Sequence, residues 1–331
     1  MAPTRIEIER ILCPVDFSEF SARALERAVR LGNWFDARVE VLHVIPFVMP
    51  AGAGLPYFPA PVTATTVQRE QAGKDLDRFV EPFLGEGVPI ETRVLEGDPW
   101  RLIRDEAEAI PADLLVMGTH GRSGFEHLLL GSVTEKVLRR APCPVLTVGN
   151  VPPHPRKGPL FRRILCAADL TAASERTLDM ALSLAGENDA RITLLHVVES
   201  VPGETGARLY LAVPEIGPLR RELKDQARAR LRQAVPDAAR DFCEVNERVE
   251  AGTAWREILD AAEEMDADLI VMGAHAHGPI GRMFFGSTSS HVVRQAPCPV
   301  LVVRETKSER PAGEAREVVG VAVDRSKGEK T

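Results

Sequence analysis

Gly118-Thr119-His120-Gly121-Arg122-Ser123-Gly124-Phe125-Glu126-His127-Leu128-Leu129-Leu130-Gly131-Ser132 is the stretch on which the reading of this chain turns. Two residues separate Gly118 from Gly121, and nine separate Gly121 from Gly131-Ser132. The apolar run 114–117 before it has the length and composition of a buried strand. A helix-like segment follows and leads into Ala141-Pro142-Cys143-Pro144-Val145-Leu146. Glycines between a strand and a helix let backbone N–H groups approach an anion closely, at the positive end of the helix dipole. The spacing therefore points to a phosphate-binding loop.

Outward from this stretch, the N-terminal half alternates strand and helix. Residues 10–15 form an apolar run ending at Asp16-Phe17-Ser18, with Ser18 as N-cap of a helix over 19–34. A strand over 38–45 contains Leu42-His43-Val44, and a Pro/Gly-rich stretch over 46–66 reads as a binding loop or lid. A helix over 67–84, a strand over 90–95, and a helix begun at Gly97-Asp98-Pro99 and ending near Ile110 complete the series. Five such alternations predict a parallel sheet covered by helices on both faces. Ligands of such sheets sit beyond the carboxyl ends of the strands, where Asp16, His43 and Gly118 converge.

The second half repeats the first. Asp16 and Asp169 lie 153 positions apart, as do His43 and His196. Trp100 and Trp255, Gly118 and Gly273, Gly131 and Gly286, and Pro142 and Pro297 are each 155 apart. This regularity predicts two tandem copies of one domain, over 5–149 and 161–304, with a linker at 150–160 and a flexible tail at 305–331. Within the tail, 318–324 resembles the first strand of each copy and reads as either a chance likeness or an added edge strand.

Composition limits the partners. The chain has 331 residues, 44% hydrophobic and 27% charged, with a formal charge of −7, which lacks the basic excess of a nucleic-acid binder. Five cysteines without a Cys-x-x-Cys pair, and no signal-like N-terminal segment, lead to the expectation of a cytoplasmic protein. No membrane span is expected.

Pro14-Val15-Asp16-Phe17-Ser18, Leu42-His43-Val44, Gly97-Asp98-Pro99, the run 113–121 and Pro142-Cys143-Pro144-Val145-Leu146 together resemble the universal stress protein family in its tandem form. The resemblance covers nearly all of the chain except linker and tail. It implies two Rossmann-like domains, each a five-stranded parallel sheet, associated through their last strands, 145–148 and 300–303. That makes one chain a pseudo-dimer, and chain dimers remain compatible with it. In the branch with the full glycine motif it also implies ATP binding, with magnesium as the expected counter-ion of the phosphates and no metal site of the protein's own. The implied ATP contacts are Pro14, Val15, Asp16 and Val44 around adenine and ribose, Met117 and Gly118 as the adjoining wall, and Gly121, Gly131, Ser132 and Val133 at the phosphates. Backbone groups of Val15 and Val44 are the expected hydrogen-bond partners.

In the second copy Ala168, Asp169, Val197, Met272, Gly273, Gly286, Ser287 and Thr288 match these positions, but Ala276 stands where the motif has its second glycine. A weakened or altered site is expected there. His43 and His196 read as satisfied core histidines. His120 is open between phosphate contact and solvent, and His275 with His277 lacks a third ligand for a metal. Cys143, Cys298, Trp100 and Trp255 read as packing residues. No Walker lysine, nucleophile elbow or Cys/His pair is present at motif spacing. The leading reading is an ATP-binding stress-response or signalling module that is not an enzyme. The alternatives are a slow ATPase or self-phosphorylating switch, with Ser123, Ser132 or Thr134 as acceptor, and a nucleotide-free scaffold.

Overall fold

A computed structural model of the chain describes residues 6–47, 63–121, 130–151, 158–171, 174–188, 190–199, 216–241, 243–274 and 286–304. The strands are β1 (Arg10–Val15), β2 (Arg38–Pro46), β3 (Ile90–Gly97), β4 (Leu114–Gly118) and β5 (Val145–Val148), then β6 (Arg163–Ala167), β7 (Arg191–Glu199), β8 (Val245–Gly252), β9 (Leu269–Ala274) and β10 (Val300–Arg304). The first-half helices are α1 (Glu19–Phe35), α2 (Thr66–Val80), α3 (Pro99–Ala109) and α4 (Ser132–Arg140). Those of the second half are α5 (Ser174–Asn188), α6 (Ile216–Ala234), α7 (Ala254–Glu264) and α8 (Ser287–Gln295).

All ten strands lie in one sheet, in the order β3-β2-β1-β4-β5-β10-β9-β6-β7-β8. Within each half the pairing is parallel. The halves meet where β5 and β10 pair antiparallel, with Leu146 opposite Leu301 and Thr147 opposite Val300. The Thr147 hydroxyl donates to the Val300 carbonyl at 3.1 Å, so this buried polar group is satisfied across the seam.

The central strands β1, β4, β5, β9 and β10 are apolar on both sides because both faces are covered, whereas the edge strands β3 and β8 carry polar residues. Leu146 and Leu301 belong to the core under α1, α2, α5 and α6, whereas their neighbours Val145, Val300 and Val302 belong to the core under α3, α4, α7 and α8. Each core runs through both halves, and Leu160 and Phe161, just before β6, are 1% exposed within the first.

Local chemistry explains the element ends. The Ser18 side chain accepts from the Ser21 N–H at the start of α1, and Asp36 closes the helix in the left-handed region at φ 55°. Thr65 and Gln68 form a reciprocal capping box at the start of α2. The sequence pattern carries this helix to 84, but it ends at Val80 and passes into a 3₁₀ turn, Glu81–Phe83. Pro82 is the physical reason, since it has no N–H to donate to the carbonyl four residues earlier and so cannot continue the helical ladder. Most of the expected 46–66 loop, and the tail from 305 with its strand-like 318–324, lie outside the described residues.

Candidate functional site

At the carboxyl ends of β1, β2 and β4 lies a cavity of about 660 Å³. Neighbouring strands β2 and β4 flank β1, so the chain's direction of winding reverses here and the adjoining connections diverge. The cavity is lined by Pro14, Val15 and Asp16 from the end of β1 and by Val44 from β2. Met117, Gly118 and Gly121 line it from the end of β4, and Gly131, Ser132 and Val133 from the start of α4. All ten residues expected for the first site therefore face one space.

The Asp16-Phe17-Ser18 turn aims the carboxylate. Asp16 Oδ1 accepts from the Ser18 N–H at 3.1 Å and from the Ser18 hydroxyl at 2.6 Å. This turn requires Phe17 at φ 65°, an uncommon conformation for a bulky residue. Aromatic contacts offset that cost: the Phe17 ring stacks on His43 at 4.3 Å and meets Phe79 edge-on at 5.5 Å. His43 Nδ1 lies 2.9 Å from the Val15 carbonyl, which can only accept, so Nδ1 carries the proton. His43 thus orders the strand end by holding the Val15 carbonyl.

The three glycines have reasons within the protein itself. A Cβ on Gly118 would stand 2.9 Å from Cβ and 3.0 Å from the carbonyl carbon of Phe20, so this glycine lets α1 approach β4. A Cβ on Gly121 would come 2.6 Å from Asp16 Oδ2, and one on Gly131 would come 3.1 Å from the Thr119 carbonyl oxygen. The Gly131 N–H donates to that same oxygen at 2.9 Å. The spacing of the motif is legible in the sequence; the neighbours that crowd each glycine come from the fold.

Gly131 is the N-cap of α4 and offers no side-chain cap, so the first-turn N–H groups have no capping partner in the helix. The Thr134 hydroxyl is turned away and donates to the Gly118 carbonyl at 2.9 Å, a buried contact that makes it a poor phosphate acceptor. Ser123, the other loop candidate, lies outside the described residues. His120 also lines the cavity, and its Nδ1 is 2.9 Å from the Thr119 hydroxyl.

Sequence reasoning missed α2. Gln68, Gln71, Ala72 and Asp75 line the cavity from above. Their spacing of three, four and seven residues marks one helical face, but nothing in the sequence says that this face looks at the glycine loop. No Lys or Arg lines the cavity among the described residues, and none of those residues form a group of three or more His, Cys, Asp or Glu able to hold a metal.

The second half has the same plan with different details. Ala168 and Asp169 follow β6, Val197 lies in β7, Met272 and Gly273 lie in β9, Gly286 caps α8, and Ser287 and Thr288 open it. Asp169 Oδ1 accepts from the Thr171 N–H at 2.9 Å and hydroxyl at 2.7 Å, with Leu170 at φ 59°. The Ser174 hydroxyl also donates to Asp169, whereas its counterpart Ser21 donates to the Ser18 carbonyl at 2.9 Å. His196 Nδ1 lies 2.8 Å from the Ala168 carbonyl. His275, Ala276 and His277 lie outside the described residues.

All five cysteines are buried free thiols, and burial pushes Cys143 and Cys298 up to about 12, so they are protonated packing groups. Trp100 packs against the second core and carries Arg140 over its ring at 4.7 Å, while Trp255 stacks on His291 at 4.8 Å.

The family model for the universal stress protein family matches residues 7–149 and 160–304. The chain belongs to the universal stress protein family. A universal stress protein of Mycolicibacterium smegmatis is 28% identical over 300 residues, spanning 89% of this chain and 96% of that protein. One from Methanocaldococcus jannaschii is 38% identical over 143 residues, spanning 42% of this chain and 81% of its own length. The crystal structure of a universal stress protein from Archaeoglobus fulgidus matches with a TM-score of 0.62 at 26% identity, covering 90% of this chain and 97% of that one. This universal stress protein thus shares the mixed α/β, Rossmann-like architecture of its relatives over both repeats. Among its described residues no helix is long and apolar enough to cross a membrane.

Proposed function

We propose that the first repeat of this universal stress protein binds an adenine nucleotide, ATP with magnesium, and that the chain is a nucleotide-dependent regulatory module of the cytoplasm. One observation carries this reading: the Asp16 carboxylate and the uncapped N-terminus of α4 line the same cavity. A carboxylate at a strand end accepts two ribose hydroxyls, and the helix N-terminus takes the phosphates. A volume of about 660 Å³ is within the ~300–1,000 Å³ of small-molecule sites.

Magnesium fits as a companion of the phosphates. The donor set offers the Asp16 carboxylate and the Ser132 hydroxyl but no dedicated cage, which suits an ion held largely by phosphate and water. It would supply charge neutralisation in a cavity without a described lysine or arginine. The chain's own residues bind and orient the nucleotide. The second repeat has an altered, weaker site, because Ala276 replaces the glycine whose counterpart lies against Asp16.

Freshly purified protein, denatured and analysed for released small molecules, is expected to yield adenine nucleotide. Calorimetric titration should show magnesium-ATP binding that Asp16→Ala weakens at least ~10-fold. Absence of released nucleotide together with no heat of ATP binding would sink the proposal and favour a nucleotide-free scaffold.

A further inference from the structure

The cavity is chemically polarised from one end to the other. The α2 helix packs over β2 and β3, β1 is central, and α4 begins beyond β4 on the other side. At the α4 end are backbone N–H groups. At the α2 end are Gln71 and Asp75, where Gln71 Nε2 donates to Asp75 Oδ1 at 2.9 Å and Arg78 approaches that oxygen at 3.4 Å. A carboxylate only accepts, so the Gln71 amide nitrogen faces Asp75 and its carbonyl oxygen is turned the other way. The pair therefore presents acceptors to the cavity. That end offers acceptors to a ligand's N–H or O–H groups, with the Arg78 charge on the far side of Asp75 Oδ1.

The helix is held in place for this task. Glu96 accepts from the Ala64 N–H and from Arg69 Nε at 3.0 Å and Nη2 at 2.6 Å, and the Thr65–Gln68 capping box fixes the first turn. Only Leu76 and Val80 of α2 are buried, so the turns before them are positioned mainly by this polar clasp.

We infer that Asp75, positioned by Gln71, accepts a hydrogen bond from the exocyclic amino group of the base and makes the first site selective for 6-aminopurine over 6-oxopurine nucleotides. This rests on the nucleotide reading above: with phosphates at α4 and ribose at Asp16, the base is left at the α2 end. A 6-amino group adds a donor to the acceptor edge of Asp75, beside those from Gln71 and Arg78. A 6-oxo group sets acceptor against acceptor at this partly exposed carboxylate. The second repeat provides a contrast, since Gln226 and Arg230 stand 155 positions after Gln71 and Asp75. Arg230 Nη2 donates to the Leu170 carbonyl at 2.7 Å, so a donor has replaced the acceptor there.

The test is calorimetric titration of the full-length chain with magnesium-ATP and magnesium-ITP, which differ in the 6-amino and 6-oxo groups. The unsubstituted chain is expected to prefer ATP by ~10-fold or more, and Asp75→Asn, which can donate as well as accept, to bring the two within ~3-fold. Asp75→Ala is the second variant, with thermal unfolding as the check on folding; it is expected to weaken ATP and spare ITP. An unchanged ATP/ITP ratio in both variants overturns the inference and leaves the nucleotide reading standing. Equal tightening of both nucleotides also overturns it, marking Asp75 as a general repulsive charge. Binding of neither nucleotide by the unsubstituted chain overturns the nucleotide reading and this inference together.

Discussion

Gly121 lies against the carboxylate of Asp16, so close that a Cβ added to it would stand 2.6 Å from Oδ2. The glycine loop and the end of β1 are therefore one unit. A side chain at 121 must displace either the carboxylate or the loop. Gly121→Ala is expected to weaken ATP binding at least ~10-fold, with a smaller effect on stability, since a polar side chain can turn away at the protein edge. Calorimetry beside chemical denaturation separates the two effects. Conversely, Ala276→Gly in a chain already carrying Gly121→Ala should restore part of the binding through the second repeat.

Gly118 behaves differently because its neighbour is the backbone of a buried helix. With Phe20 Cβ 2.9 Å and its carbonyl carbon 3.0 Å from the added Cβ, neither can rotate aside. Gly118→Ala should lower the unfolding free energy by ~1–3 kcal/mol. Urea denaturation of the apoprotein would show it without any ligand, and an unaltered midpoint would contradict the packing argument.

A pH dependence should come from β2. Burial pushes the Glu40 carboxyl up from 4.5 to about 6, with the Glu106 charge adding to the rise and Arg93 opposing it. Arg93 bridges the two, pairing with Glu106 and lying 3.7 Å from Glu40. A pKa raised on folding means that the native state binds more protons than the unfolded chain between about 4.5 and about 6. Stability from this group is present below that window and lost as pH rises through it. Glu40→Gln should therefore stabilise the protein by ~1 kcal/mol at pH 7.5 and by little at pH 4.5. Urea midpoints at both values test the sign.

The seam couples the two repeats. Leu301 is 3% exposed and stands opposite Leu146 in a core that both halves share. Leu301→Ala should cost ~2–4 kcal/mol. Because the core is continuous, the loss should lower a single cooperative unfolding transition monitored by calorimetry. Separation of an early transition confined to one repeat would argue that the halves are energetically independent.

Much of this was legible from sequence because it depends on local pattern. Apolar runs between helical segments announced the parallel strands, Ser18 announced its cap, and the paired offsets of Asp16 with Asp169 and Gly118 with Gly273 announced the duplication. The ten residues that line the cavity from β1, β2, β4 and the start of α4 were quoted from the sequence through the family's motif. Pro82 was also visible, although the apolar spacing of Phe79, Val80 and Phe83 ran through it.

What the sequence by itself determined is therefore the repeat, the order of strands and helices, and the residue types brought to the rim. Tertiary structure alone decided what Gly118, Gly121 and Gly131 each pack against, that Phe17 takes a left-handed turn under the His43 ring, and that Gln71 and Asp75 look into the cavity. The physical reason is range. Periodicity and capping act over a few residues along the chain, whereas the contacts of Gly121 with Asp16 and the facing of α2 with α4 arise only when segments far apart in sequence are packed on one sheet.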